Sequence, residues 1–222
     1  MINIAIDGPA GAGKSTLSRL LASKLSYIYV DTGALYRAVG LKFSQKGFDT
    51  SLEGDLDAVL SDTSVDIRFI NGEQRVFLDG EDVSDNIRTP LASMMASAVS
   101  AKPSVRAFLL DMQRNLAKNN NVVMDGRDIG TVVLPDAKVK IFLTADVEVR
   151  ANRRLKELLE KGQQISFDEV LEDMKKRDYN DSHRPIAPLK QADDAVLADT
   201  TKLSFDQSLE LLINIVKDGI KA

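Results

Sequence analysis

Short apolar runs alternate along the chain with longer segments whose apolar residues recur every three or four positions. Ile2 to Ile6, Tyr27 to Val30, Val122 to Met124, Val139 to Leu143 and Ala195 to Leu197 read as strands. Leu17, Leu20, Leu21 and Leu25 share one helical face, so the spacing predicts a helix from Lys14 to about Leu25. Leu209, Leu211, Leu212, Ile215 and Val216 predict a closing helix. Strands separated by amphipathic helices build βαβ units, and so an α/β fold with a parallel sheet flanked by helices.

Two stretches break the alternation. From Val65 to Leu78 the apolar period is two, through Val65, Ile67, Phe69, Val76 and Leu78, with Asn71-Gly72 between the runs. That is the pattern of an antiparallel hairpin, which fits an inserted subdomain better than a parallel sheet. A second insert is expected between about Arg150 and Asp181. It ends in a helix opened by Ser166 and Glu169 at capping-box spacing, with Phe167, Val170, Leu171 and Met174 on its apolar face.

Composition narrows the partners. The chain has 222 residues, 44% apolar and 28% charged, enough for one substantial core. It has no tryptophan, 5% aromatic residues and a net charge of −4, which argues against a polymeric nucleic acid as partner. Cysteine is absent, so no disulfide framework exists. No apolar run approaches the length of a membrane span, and the first strand begins at residue 2. The expectation is a cytoplasmic monomer with no membrane partner.

Between the first strand and first helix lies Gly8-Pro9-Ala10-Gly11-Ala12-Gly13-Lys14-Ser15, followed by Thr16. It fits the phosphate-binding pattern G-x-x-x-x-G-K-[ST] in the strand–loop–helix context that pattern requires. Small residues let backbone N–H groups approach phosphate oxygens, and the helix N-terminus adds its positive end. Lys14 supplies a mobile charge for the terminal phosphates. A hydroxyl after it suits magnesium, making Ser15 the candidate ligand and Thr16 a further phosphate contact. No N-K-x-D guanine-reading motif follows.

A kinase for a small acceptor needs a second anion site. Arg37 follows the second strand in DTGALYR, Arg127 follows the third in MDGRDIG, and Arg184 closes RDYNDSHR before the fifth. Ligands bind at such carboxyl ends of parallel strands, and arginine suits multidentate phosphate recognition. Alone, Asp128 reads equally as a helix cap or as a partner of Arg127.

GPAGAGKST, DTGALYR, DGRDIGT and RDYNDSHRPIAPL together resemble the bacterial cytidylate kinase family of nucleoside monophosphate kinases, over almost the whole chain. The resemblance implies phosphorylation of CMP and dCMP by ATP with magnesium, on a five-stranded parallel core with a monophosphate-binding insert and a lid. It implies that 1–33, 102–149 and 185–222 form the core, 34–101 the insert and 150–184 the lid. Arg37, Arg127 and Arg184 would hold the acceptor phosphate, with Thr32 lining that pocket. Ser97, Arg106 and Asp128 would read cytosine, and Arg177 and Asp181 would contact the ribose. A carboxylate at Asp128 would accept from the cytosine amino group and oppose the uracil oxygen. The other readings are a phosphate-loop kinase for UMP, dTMP or a hydroxylated metabolite, and a nucleotide-binding regulator without turnover.

The acceptor is already anionic, so catalysis reduces to alignment and charge neutralisation. Arg150, Arg153 and Arg154 lie at i, i+3 and i+4 on one helix face, and at least one is expected to reach the ATP phosphates. Asp125 is a candidate to hold magnesium through water, and Gly162 to lend the lid flexibility. The family often has glycine after the loop lysine. Ser15 stands there instead, so Ser15 and Thr16 both remain candidates for the metal.

Overall fold

The computed structural model describes residues 1–160 and 162–221. Five strands form one parallel sheet: β1 (Asn3–Asp7), β2 (Ile28–Asp31), β6 (Val122–Gly126), β7 (Val139–Thr144) and β8 (Val196–Asp199), in the order β2-β6-β1-β7-β8. The central strand β1 is apolar on both faces, with Ile4, Ala5 and Ile6 fully buried, because helices cover both sides. On one side Ile4, Ile6, Ile141 and Leu143 meet Leu17 and Leu21 of α1 (Lys14–Leu25) and Leu212 and Val216 of α8 (Phe205–Lys221). On the other, Ala5, Val30 and Met124 meet Ile129, Val133 and Ala117.

The strands extend past the apolar runs that betray them. β1 continues through Asp7 and β2 through Asp31, paired in register with Gly126 and Asp125 of β6. Hydrophobic patterning stops at the last apolar residue, whereas the ladder continues into the polar residues that face the ligand edge.

Residues 32–100 hold α2 (Thr32–Gln45), α3 (Leu56–Ser61), a second sheet of β3 (Val65–Ile70), β4 (Glu73–Leu78) and β5 (Glu81–Asp82), and α4 (Pro90–Ser100). β3 and β4 pair antiparallel, and Asn71 and Gly72 both take positive φ, 54° and 80°, as a tight hairpin turn of this kind requires. Leu35, Val39, Phe43, Val76, Met95 and Val99 form a core of their own, to which α5 (Pro103–Asn119) adds Val105 and Leu109.

The last subdomain is a pair of helices, α6 (Val147–Glu160) and α7 (Phe167–His183), packed through Ala151, Leu158, Val170 and Met174. Ser166 and Glu169 form the expected capping box. Helix α6 starts at Val147, so a boundary at residue 150 falls inside its first turn. Gly162 has φ of 74° just beyond α6.

Candidate active site

The loop leaves β1 at Gly8, where an added Cβ would lie 1.9 Å from the Leu143 carbonyl oxygen of β7. Only glycine lets the backbone pass there. Gly13 caps α1 in the left-handed region (φ 84°), which turns the chain directly from loop into helix. Lys14 is 6% exposed, and its Nζ donates to the Pro9 carbonyl oxygen at 2.7 Å. Burial, and then the nearby Arg127 charge, push its ammonium down to about 7 against the opposing pull of Asp125, Asp181 and Asp7.

Asp125, at the end of β6, joins the loop to the neighbouring strand. Its Oδ2 accepts from Ser15 Oγ at 2.9 Å and its Oδ1 from Tyr29 OH at 2.9 Å. Burial, and then Asp31, push its carboxyl up to about 6. Thr32 Oγ1 donates to the Asp125 carbonyl oxygen at 2.8 Å. Gly126 makes this close approach possible, since a Cβ there would lie 2.8 Å from Thr32 Oγ1. Thr16 is exposed on the first turn of α1.

Beyond this edge lies a second set of charges. Arg127 Nε donates to Asp181 Oδ2 at 2.7 Å. Burial favours the neutral Asp181 carboxyl, but Arg127, with Arg184 and Arg177, outweighs it and holds the group below its ordinary value. Half-buried Arg177 is itself lowered by burial and by Arg127. Asp128 is shared: Arg184 Nη2 donates to its Oδ1 at 3.0 Å, and Arg106 Nη2 donates to its Oδ2. Ser100 closes this group, its Oγ accepting from Arg184 at 3.2 Å and its carbonyl oxygen from Arg106 at 3.3 Å. Ser97 lies one turn earlier on α4, and its carbonyl oxygen accepts from Ser100 Oγ. The Arg106 guanidinium lies 5.8 Å from the Tyr36 ring centroid.

Arg37 stands on the β2–α2 side, where its Nη2 donates to Asp31 Oδ2 at 2.8 Å. The three arginines at α6 do not act as one face. Arg150 is buried and donates to Ala10 O of the loop at 2.9 Å, to Ala145 O at 2.7 Å and to Asp178 of α7 at 2.6 Å. Arg153 donates to Thr200 O at 3.1 Å, and Arg154 pairs with Glu157 at 3.1 Å. Arg150 thus braces the phosphate loop's backbone, and the helical spacing alone does not show this.

Several residues of the site carry no motif. Asp7 is buried, and its carboxylate accepts from the amides of Ile129 at 2.8 Å and Gly130 at 2.7 Å, which open a π-turn over Ile129–Val133. A carboxylate ending a buried apolar strand just before the loop was the available signal. Tyr29 and Ser100 offered none beyond their positions near the sheet edge, and Asp31 opens DTGALYR without that motif showing its bonds to Arg37 and Gln74.

A parallel five-stranded sheet with a phosphate loop after its first strand, and a second cluster of arginines beside it, defines a P-loop kinase. A family model described as cytidylate kinase matches residues 4–218. A cytidylate kinase from Caldicellulosiruptor bescii is 52% identical over 223 residues, 99% of this chain and 99% of that one. Another, from Carboxydothermus hydrogenoformans, is 49% identical over 217 residues and 97% of each chain. The chain belongs to the cytidylate kinase family. Among solved structures, a shikimate kinase from Bacteroides thetaiotaomicron aligns over 100% of this chain and 99% of that chain, with TM-score 0.50 and 13% identity. An uncharacterized protein from Eubacterium ventriosum aligns over 98% of this chain and 99% of that chain, with TM-score 0.52 and 13% identity. Both show the fold.

Proposed function

We propose that the protein transfers the γ-phosphoryl group of ATP to CMP or dCMP, giving CDP or dCDP and ADP. Full-length identity of about half with cytidylate kinases supports the acceptor. The observation that supports the reading is the bond from Ser15 Oγ, on the donor loop, to Asp125 Oδ2 at 2.9 Å, two residues before Arg127, which heads the second cluster through its 2.7 Å bond to Asp181. Two anion sites would thereby share one sheet edge.

In this reading Lys14 leaves Pro9 and moves onto the β- and γ-phosphates, while the loop from Gly8 to Thr16 cradles them. Arg37, Arg127 and Arg184 hold the acceptor phosphate beside Thr32 and offset charge on the transferring group. Asp181 and Arg177 take the ribose. Ser97, Arg106 and Asp128 take the base, with Asp128 accepting from the cytosine amino group. Residues 34–101 act as the monophosphate-binding insert and 150–184 as the lid, where Arg153 and Arg154 would leave Thr200 and Glu157 to reach the ATP phosphates on closure. No general base is required, because the attacking oxygen is already anionic. Closure of the lid excludes water and suppresses ATP hydrolysis.

Magnesium fits this edge. Such an ion is held largely by phosphates and water, with few protein ligands. Ser15 Oγ would ligate it, and Asp125, 2.9 Å away, would hold one of its waters. When bound, the ion neutralises charge on the β- and γ-phosphates.

No described helix is long and apolar enough to cross a membrane. A cytoplasmic monomer remains the reading from composition.

The test is an acceptor panel with ATP and magnesium, following ADP release. Fast release with CMP and dCMP supports the proposal. Release only with UMP, dTMP or a hydroxylated metabolite, or ATP binding without turnover, overturns it.

A further inference from the structure

β2 is an edge strand, with β6 on one side only. Its last residue, Asp31, therefore presents a backbone N–H and C=O away from the sheet. Both are taken by one side chain from the insert. The Asp31 amide donates to Gln74 Oε1 at 2.8 Å, and Gln74 Nε2 donates to the Asp31 carbonyl oxygen at 3.2 Å. The primary amide copies the donor–acceptor pair of a neighbouring strand. Gln74 itself lies on β4, opposite Phe69 in the hairpin.

The grip falls on a joint. Asp31 ends β2 and caps α2, its Oδ1 accepting from the Ala34 amide at 3.0 Å. Its Oδ2 holds Arg37 at 2.8 Å. The Arg37 Nε is buried without a hydrogen-bond partner, a donor still unsatisfied among the described residues. Beside the grip lies a cavity of about 380 Å3, lined in part by Arg19, Tyr29, Arg37, Glu73, Gln74 and Arg88. The hairpin packs on α2 through Val65, Val76 and Leu78 and on the sheet through Ile67, but beside Asp31 it borders open space, and there the Gln74 amide is the contact that reaches the strand's backbone.

We propose that Gln74 is a positioning residue for the acceptor. Its amide fixes the Asp31 backbone, and Asp31 in turn sets the start of α2 and the direction of the Arg37 guanidinium. The hairpin thus couples the position of the insert to the acceptor-phosphate clamp. This rests on the reading of Arg37 as an acceptor-phosphate ligand.

Gln74→Met keeps the length of the side chain and removes both hydrogen bonds. It should raise KM for CMP on the order of fivefold, as expected from losing one to two net hydrogen bonds through an intermediary. KM for ATP should stay within twofold, with the thermal midpoint shifted by only a few degrees. Gln74→Glu, which still accepts from the Asp31 amide but cannot donate, should fall between wild type and Gln74→Met. Arg37→Met is the control, and the double variant Gln74→Met/Arg37→Met the decisive comparison. Because Gln74 acts through Arg37, the double variant should be no worse toward CMP than Arg37→Met alone. Additive losses, equal rises in both KM values, or an unchanged KM for CMP in Gln74→Met overturn the proposal. If Arg37→Met leaves KM for CMP unchanged, the reading of Arg37 fails, and the role of Gln74 falls with it.

Discussion

Lys14 is folded back onto its own loop, its ammonium donating to the Pro9 carbonyl oxygen at 2.7 Å. The lysine is thus held in a buried site where burial and the charge of Arg127 disfavour its ammonium against the pull of Asp125, Asp181 and Asp7. Its direct partner is a neutral carbonyl oxygen, and a triphosphate entering the loop would supply an anion in its place.

Lys14→Ala should therefore lower kcat by at least about a hundredfold, the scale of losing one preorganised charge at a developing anion. The thermal midpoint should move by only a few degrees, since the native protein already holds the lysine at a cost. ATP binding should also take up protons near pH 8. The free lysine titrates at about 7, so at pH 8 it is mostly neutral and regains its proton beside the phosphates. Titration calorimetry in buffers of different ionisation enthalpy measures this uptake. Wild type should show it and Lys14→Ala should lose it; equal uptake by both would remove Lys14 from the phosphates.

Asp128 sits between Arg106 and Arg184 and is 4% exposed. Asp128→Asn keeps its shape but replaces one acceptor oxygen with a donor, which suits a uracil oxygen better than a cytosine amino group. The ratio of kcat/KM for CMP to that for UMP should fall by about ten- to a hundredfold, the range of one buried base contact. Asp128→Ala should in addition destabilise the fold by about 3 kcal/mol, because two arginines lose their shared counter-charge in a buried site. Steady-state kinetics with both acceptors and urea unfolding measure the two effects. A ratio that stays constant would place base reading elsewhere.

Much of this site is legible in the sequence because its chemistry demands particular residue types. Gly8, Gly13 and Lys14 follow from what a phosphate requires of a loop, and Asn71-Gly72 from what a tight hairpin requires of its φ angles. Other parts are invisible because they depend on sheet order. That β2 lies at the edge, with β6 between it and β1, is a fact of topology, and the grip of Gln74 on Asp31 has no meaning without it. Arg150 shows the other limit. Its spacing with Arg153 and Arg154 is that of a charged helix face, but the helix starts at Val147 and turns Arg150 inward to the Ala10 carbonyl oxygen. Periodicity gives relative orientation around a helix axis, and only packing decides which side faces the core.

Arg150 ties three elements through neutral and charged bonds: the loop at Ala10, the end of β7 at Ala145 and helix α7 at Asp178. Helix α7 also packs close to the loop, for a Cβ added at Gly11 would lie 2.9 Å from Met174 Cε. Arg150→Met should raise KM for ATP about tenfold or more and lower the unfolding free energy by about 3 kcal/mol, since the Asp178 carboxylate loses its partner. KM for CMP should change less. Should KM for CMP rise more than KM for ATP, the brace would belong to the acceptor side.

Asp7 gives a prediction that needs no nucleotide. Burial pushes its carboxyl up to about 6 against the hydrogen bonds from Gly130 and Ile129, with Asp128 adding to the rise and Lys14 opposing it. In the unfolded chain the same group titrates at 3.8. Between those values the folded protein binds more protons than the unfolded one, so this group makes stability fall as pH rises from about 4 to about 6. The full cost is present above 6. Asp7→Asn is neutral throughout and lacks the slope, though it gives up one of the two backbone acceptors and is less stable at low pH for that reason. Plotted against pH, the stability of Asp7→Asn minus that of wild type should therefore climb between pH 4 and 6 and level off above. Other titrating carboxyls, Asp125 among them, cancel in the difference to the extent that they do not couple to Asp7. Urea midpoints at half-unit pH intervals measure the curve. A difference that is flat or descends across that window would mean that the Ile129 and Gly130 amides hold the carboxylate charged, with the balance of burial and hydrogen bonding reversed from the one described.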